Sequence, residues 1–177
     1  MEFAILYWIQ GLRSPLLDRL MVAVTSLGDA GWLWILLGTV LFCIKRTRRC
    51  GAAVLLSLAA GFLLGNVLLK NSVARSRPCW LVDMGAALLV KSPADYSFPS
   101  GHTLAGFEAG ISIWLVSRKW GAAVLALAVL IAFSRLYLFV HFPSDVLAGA
   151  VLGTGIAFGI HAWLYRRQKI KQDELIL

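Results

Sequence analysis

Long apolar runs separated by short basic turns constrain this chain more than any other feature. Gly51–Lys70 is the cleanest: twenty residues whose main interior polar groups are Ser57 and Asn66. As a helix rising about 1.5 Å per residue it would match the roughly 30 Å hydrocarbon core of a bilayer. Gly101–Ser117, Gly121–Tyr137 and Val146–Tyr165 read the same way. Pro15–Leu27 and Trp32–Ile44 are shorter runs on either side of a Gly28–Gly31 turn, and the first is expected to be a tilted, thinned or re-entrant span. With 59% of the 177 residues hydrophobic, lipid is the expected solvent. The expected fold is all-α: an integral membrane helical bundle of about six transmembrane helices in a single domain, residues 1–177. Met1–Leu12, apolar but short, reads as an N-terminal interfacial helix. It has neither a basic n-region nor a small-residue cleavage site, so this segment is expected to be retained.

Seventeen Lys and Arg stand against nine Asp and Glu, a net charge of +8. The cations are confined to turns between apolar runs, and no basic, aromatic-interleaved face is left for nucleic acid. That distribution fits anionic headgroups and the positive-inside rule. If the runs alternate, Arg13, Arg19, the Lys45–Arg49 cluster, Arg118, Lys119 and the C-terminal group share one side, twelve of the seventeen. That side is expected to face the cytoplasm from a multi-pass position in the cell membrane. Lys70, Arg75, Arg77, Lys91 and Arg135 face the extracytoplasmic side. Trp32 and Trp34 on the outer side and Trp120 and Trp163 on the inner fit interfacial belts. Gly61/Gly65, Gly106/Gly110, Gly149/Gly153 and Gly155/Gly159 have the spacing that lets helices approach closely in lipid. Cys43, Cys50 and Cys79 form no CxxC pair and read as unpaired.

Three turns carry groups that composition does not explain. Lys70, Arg75 and Arg77 crowd the end of an apolar run on the side where anchoring cations are disfavoured. Pro99-Ser100-Gly101-His102 starts a helix. Ser100 suits an N-cap, and the free N–H groups there also suit a phosphate, with His102 beside it. In Ser134–Asp145, Pro143 and Asp145 suit the first turn of a helix. His141, however, lies four residues before Asp145 and six after Arg135. A carboxylate holding one imidazole nitrogen would leave the other free to attack. Glu108 is a carboxylate inside a span, costly unless functional or paired. His161, near the cytoplasmic end of the last run, reads as interfacial.

These motifs resemble the type 2 phosphatidic acid phosphatases and their lipid phosphatase and vanadium haloperoxidase relatives. That family is marked by Lys, six residues, Arg-Pro; by Pro-Ser-Gly-His; and by Ser-Arg, five residues, His, three residues, Asp. The chain has Lys70…Arg77-Pro78, Pro99-Ser100-Gly101-His102 and Ser134-Arg135…His141…Asp145, in that order. The resemblance implies that His141 attacks phosphorus and carries a phosphohistidine while Asp145 orients it. It implies that His102 protonates the leaving oxygen and then activates water. Lys70, Arg77 and Arg135, with Ser100 and the Gly101 N–H, would neutralise the phosphate oxygens. No carboxylate cluster suggests a metal site, so no cofactor is expected. Arg75 lies outside the strict motif and is a candidate for a second phosphate or the headgroup.

The expected partners are the bilayer and a lipid phosphate: an undecaprenyl (di)phosphate carrier, phosphatidylglycerol phosphate or phosphatidate. The hydrophobic runs exclude a soluble haloperoxidase, and a compact bundle suits a lipid better than a sugar phosphate. The alternative is a non-catalytic membrane protein that binds or moves anionic lipids. It would use the same cations but gives no reason for two histidines and Asp145.

Overall fold

The computed structural model of the chain describes residues 1–82, 85 and 88–174, with side chains for all of these except 165 and 167–174. Described residues form helices and connecting turns, with no strand among them. In order these are α1 (Glu2–Gln10), α2 (Pro15–Ser26), α3 (Trp32–Cys43) and α4 (Arg48–Gly61). Then come α5 (Lys70–Val73), α6 (Pro78–Leu81), α7 (Gly101–Trp114), α8 (Arg118–Tyr137) and α9 (Pro143–Glu174). A 3₁₀ turn, Asp29–Gly31, joins α2 to α3, and a π-helical segment, Phe62–Leu69, joins α4 to α5.

α7 is the axis of the bundle, and small residues let its neighbours close on it. Against α4 it runs antiparallel: Ser57 Oγ lies 3.3 Å from Ser112 Oγ, Gly61 abuts Glu108, and Gly65 abuts Leu104. A Cβ at Gly106 would meet Ala128 of α8 at 2.9 Å, and one at Gly110 would meet Leu125 at 2.6 Å. Gly149 and Gly153 of α9 lie against the carbonyls of Ser100 and Leu104. Three of the four expected glycine pairs therefore mark close helix approaches. Nothing lies within 4 Å of a Cβ built at Gly155 or Gly159, so the fourth does not. Trp34 belongs to the core, 1% exposed among Val54, Ala109, Ile113 and Ile131, and is no belt residue. Trp32 and Trp120 remain exposed.

Arg48–Leu81, Arg118–Tyr137 and Pro143–Leu164 are each long and apolar enough to cross a bilayer. α2 and the Asp29–Cys43 stretch qualify only together, bent by 41°. Their contacts explain why. Asp18 accepts from Tyr137 Oη at 2.6 Å, Thr25 Oγ1 accepts from Arg135 at 2.6 Å, and Gly28 packs on Ile131. α2 thus descends along the last turns of α8, and α3 continues down to the Lys45–Arg49 turn. The first two runs, expected as separate spans, reach crossing length only as the bent pair, because helices of twelve residues rise only about 18 Å each.

This corrects the charge count. Arg13, which pairs with Asp18 at 3.1 Å, and neighbouring Arg19 sit at the Tyr137 end of the bundle, not with Lys45–Arg49. Moving two of the twelve leaves ten cations at the far end and raises the other end from five to seven. Of those ten, Arg167, Lys169 and Lys171 lie outside the residues whose side chains are described. α1 also packs at the Tyr137 end: Leu6 and Ile9 are buried against Phe139, Phe142, Tyr137 and Leu138.

Candidate active site

A cavity of about 1120 Å³ opens where α4, α7 and α8 end and the Asp29–Gly31 turn and the 90–95 loop meet them. Lys70, Arg77, Gly101, His102, Arg135 and His141 all line it. Residues from three separate turns converge because those turns sit at one end of the bundle. The cis Phe98–Pro99 bond precedes the turn that brings Ser100 N within 3.1 Å of the Asp145 carbonyl oxygen, which accepts from it. A Cβ at Gly101 would come 2.8 Å from Asn66 Oδ1, so glycine lets α7 start against the π-helical segment. Ser100 and Asp145 lie behind the cavity wall, both 0% exposed. The Ser100 side chain makes no helix-capping bond; its Oγ lies 3.0 Å from Thr103 Oγ1, which donates to it.

His141 sits between α8 and α9, 1% exposed. Its Nε2 is 3.1 Å from Arg77 Nη1, a permanent donor, so Nε2 carries the lone pair and Nδ1 the proton. Asp145 Oδ2 is 3.7 Å from Nδ1, too far for a direct hydrogen bond. Ser97 bridges the gap: its Oγ donates to Asp145 Oδ2 at 2.5 Å and lies 3.4 Å from Nδ1. Phe142 N also donates to Oδ2, at 2.8 Å. Burial drives the imidazole well below its usual value, to about 3. The Asp145 interaction opposes this and the charges of Arg77 and Arg135 add to it. His141 is therefore neutral at ordinary pH, with the lone pair of Nε2 at the cavity wall.

His102 is held from the opposite wall, with Nε2 3.0 Å from Asp29 Oδ1. Arg135, 5% exposed, donates to Thr25, while its buried Nε has no hydrogen-bond partner. Lys70 and Arg77 share Asp95: Lys70 Nζ binds one carboxylate oxygen closely and Arg77 Nη2 the other at 2.8 Å. Burial would raise the Asp95 carboxyl, but the hydrogen bonds and charges of Lys70 and Arg77 outweigh it and hold the group at about 2.

Arg75 does not line the cavity. It donates to Asp145 Oδ1, Ser144 Oγ and Glu2 Oε2, each at 2.6 Å, and stacks 4.2 Å over Phe142. The second-phosphate role expected for it gives way to a clamp on the back of Asp145.

Sequence reasoning missed Asp29, Thr25, Asp95, Ser97 and Glu2. The third and fourth lie in the connection from Asn71 to Phe98, between the apolar runs. The others reach the site through tertiary contacts across 73 to 142 positions, which no local pattern announces.

Known proteins resemble this chain in sequence and fold. Residues 51–169 match the pattern of the PAP2 superfamily. An undecaprenyl-diphosphatase of Sulfolobus acidocaldarius is 38% identical over 80% of the chain and 68% of its own length. Phosphatidylglycerophosphatase B of Bacillus subtilis is 31% identical over 91% of the chain and 82% of its own length. The crystal structure of a transmembrane PAP2-type phosphatidylglycerolphosphate phosphatase from Bacillus subtilis superposes with a TM-score of 0.75. It has 29% identity and covers 92% of this chain and 84% of that one.

Proposed function

The chain belongs to the PAP2 superfamily and is an integral membrane lipid phosphatase. On that premise we propose that it acts at the extracytoplasmic face of the cell membrane. Its substrate is a lipid phosphomonoester or diphosphate of the undecaprenyl diphosphate, phosphatidylglycerol phosphate or phosphatidate type. One observation carries the reading: His102 and His141 line one cavity together with Lys70, Arg77 and Arg135.

The phosphate enters among the three cations and takes over the Arg77 contact now made to His141. Nε2 of His141 attacks phosphorus in line, forming a P–N bond as the P–O bond to the lipid breaks. His102 gives its proton to the departing oxygen. With Nε2–H of His102 donating to Asp29, the proton it gives is on Nδ1, so His102 enters this step as the imidazolium, favoured by the negative charge of the bound phosphate. His102 next takes a proton from water, whose oxygen attacks phosphorus, and the P–N bond breaks. Orthophosphate and free His141 result, with a lipid alcohol from a monoester or a lipid monophosphate from a diphosphate. Ser97 and Asp145 hold Nδ1 of His141 and stabilise the positive charge it gains. Lys70, Arg77, Arg135 and the Gly101 N–H stabilise the charge spread over the equatorial oxygens, the term that dominates in such sites. Side chains of this chain supply every step, so the activity is metal-independent.

The test is phosphate release from a panel of lipid phosphates in detergent with chelator present. Wild type should release phosphate and His141→Ala should not. Undiminished release by His141→Ala would remove the nucleophile assignment. Binding of the lipids without release by wild type would favour an anionic-lipid carrier.

A further inference from the structure

Glu108 belongs to none of the steps above, yet it is built into the same cavity. It is 1% exposed and lines the cavity wall, and its buried Oε1 has no hydrogen-bond partner in the protein. The bundle makes room for it: any Cβ at Gly61 would overlap the carboxyl group. The helix widens to π geometry from the next residue, Phe62. Such widened turns often accompany functional sites. A second buried acceptor without a partner, Asn66 Oδ1, lines the same cavity from that segment. Around them the wall is apolar, with Leu58, Ala59, Phe62, Leu104 and Ala105.

A polar atom buried without a partner costs of the order of 1–3 kcal/mol, so two side chains with such atoms in one cavity wall point to an occupant that hydrogen-bonds there. Depth indicates which part of the occupant. Glu108 lies six residues beyond His102 on α7, about 9 Å further from the cationic rim. A lipid whose phosphate sits at the rim places its linker there, before its hydrocarbon tails. In a glycerol-based lipid phosphate such as phosphatidylglycerol phosphate that linker carries a free hydroxyl, a donor for the Glu108 oxygen. In a polyprenyl phosphate it carries only C–H groups.

We propose that Glu108 is a specificity determinant that accepts a hydrogen bond from a hydroxyl on the linker of a glycerol-based lipid phosphate. This rests on the phosphatase reading and narrows its substrate class. The experiment compares kcat/KM on phosphatidylglycerol phosphate, phosphatidate and farnesyl diphosphate in mixed micelles, for wild type, Glu108→Gln and Glu108→Leu. The ratio for phosphatidylglycerol phosphate over farnesyl diphosphate should fall about tenfold in Glu108→Leu, the effect of one hydrogen bond. Glu108→Gln, which keeps size and polarity, should lose less. A fall confined to phosphatidylglycerol phosphate supports the assignment through its free hydroxyl, and an equal fall for phosphatidate, whose ester oxygens only accept, would overturn it. Equal changes on all three substrates, no change on any, or a wild type active only on farnesyl diphosphate would overturn it. A wild type inactive on all three would instead overturn the phosphatase reading.

Discussion

Arg75 Nη1 lies 2.6 Å from Asp145 Oδ1, on the face of the carboxylate turned away from His141. Asp145 is thus neutralised from behind by Arg75 while Ser97 and Phe142 N hold its other oxygen. Glu2 completes the clamp, accepting from Arg75, Ser144 N and Ser144 Oγ. The first residues of the chain therefore reach the clamp behind Asp145. Arg75→Ala should lower kcat about ten- to hundredfold, the effect of losing a charge-assisted hydrogen bond, with KM little changed. Arg75→Lys should restore part of it. A rise in KM at constant kcat would return Arg75 to direct phosphate binding.

Asp95 holds two of the three cations that the proposed mechanism needs for phosphate. A carboxylate there competes with the substrate for Lys70 and Arg77. Asp95→Asn should lower KM and tighten inhibition by orthovanadate severalfold. A raised KM would show that Asp95 instead positions the cations for the phosphate.

Acid should weaken the fold through two groups at the site. His141 titrates near 6.5 when unfolded and about 3 when folded. Between those values the unfolded chain binds more protons, so stability falls as pH drops from 6.5 towards 3. The Asp95 contribution is present above its unfolded value of 3.8 and is lost as pH falls through about 2. Unfolding in detergent should show this slope in wild type and a flatter one between pH 6.5 and 3 in His141→Gln. Equal slopes would mean that His141 is not held neutral by burial.

The side of the membrane can be read by cysteine labelling in a background lacking Cys43, Cys50 and Cys79. A cysteine at Ala94, in the loop over the site, should react with an impermeant reagent in intact cells. One at Lys45 should react only after permeabilisation. The reverse pattern would turn the protein over.

The bundle and the groups that meet in the cavity were legible in sequence for a physical reason. Apolar runs report lipid exposure directly, and phosphate chemistry demands cations and imidazoles that nothing else in a membrane helix requires. His102, His141, Lys70, Arg77 and Arg135 all reached one cavity. What stayed hidden depended on angles and distances. No residue pattern distinguishes two short spans from one broken by 41° at Asp29–Gly31. Arg75 looked like a ligand for phosphate because its sign was visible, but its partner, Asp145, lies 70 positions away. Trp34 has a belt residue's chemistry and a core residue's position.

Trapping the phosphoenzyme tests the central claim most directly. In His102→Ala, p-nitrophenyl phosphate, whose leaving group needs no protonation, should still phosphorylate His141, while the water step should stall. A burst of about one equivalent of nitrophenol is expected, with an acid-labile, alkali-stable phosphate on the peptide containing residue 141. Both should be absent from the His102→Ala/His141→Ala double variant. A burst and label that survive the loss of His141, or that map elsewhere in the chain, would contradict it.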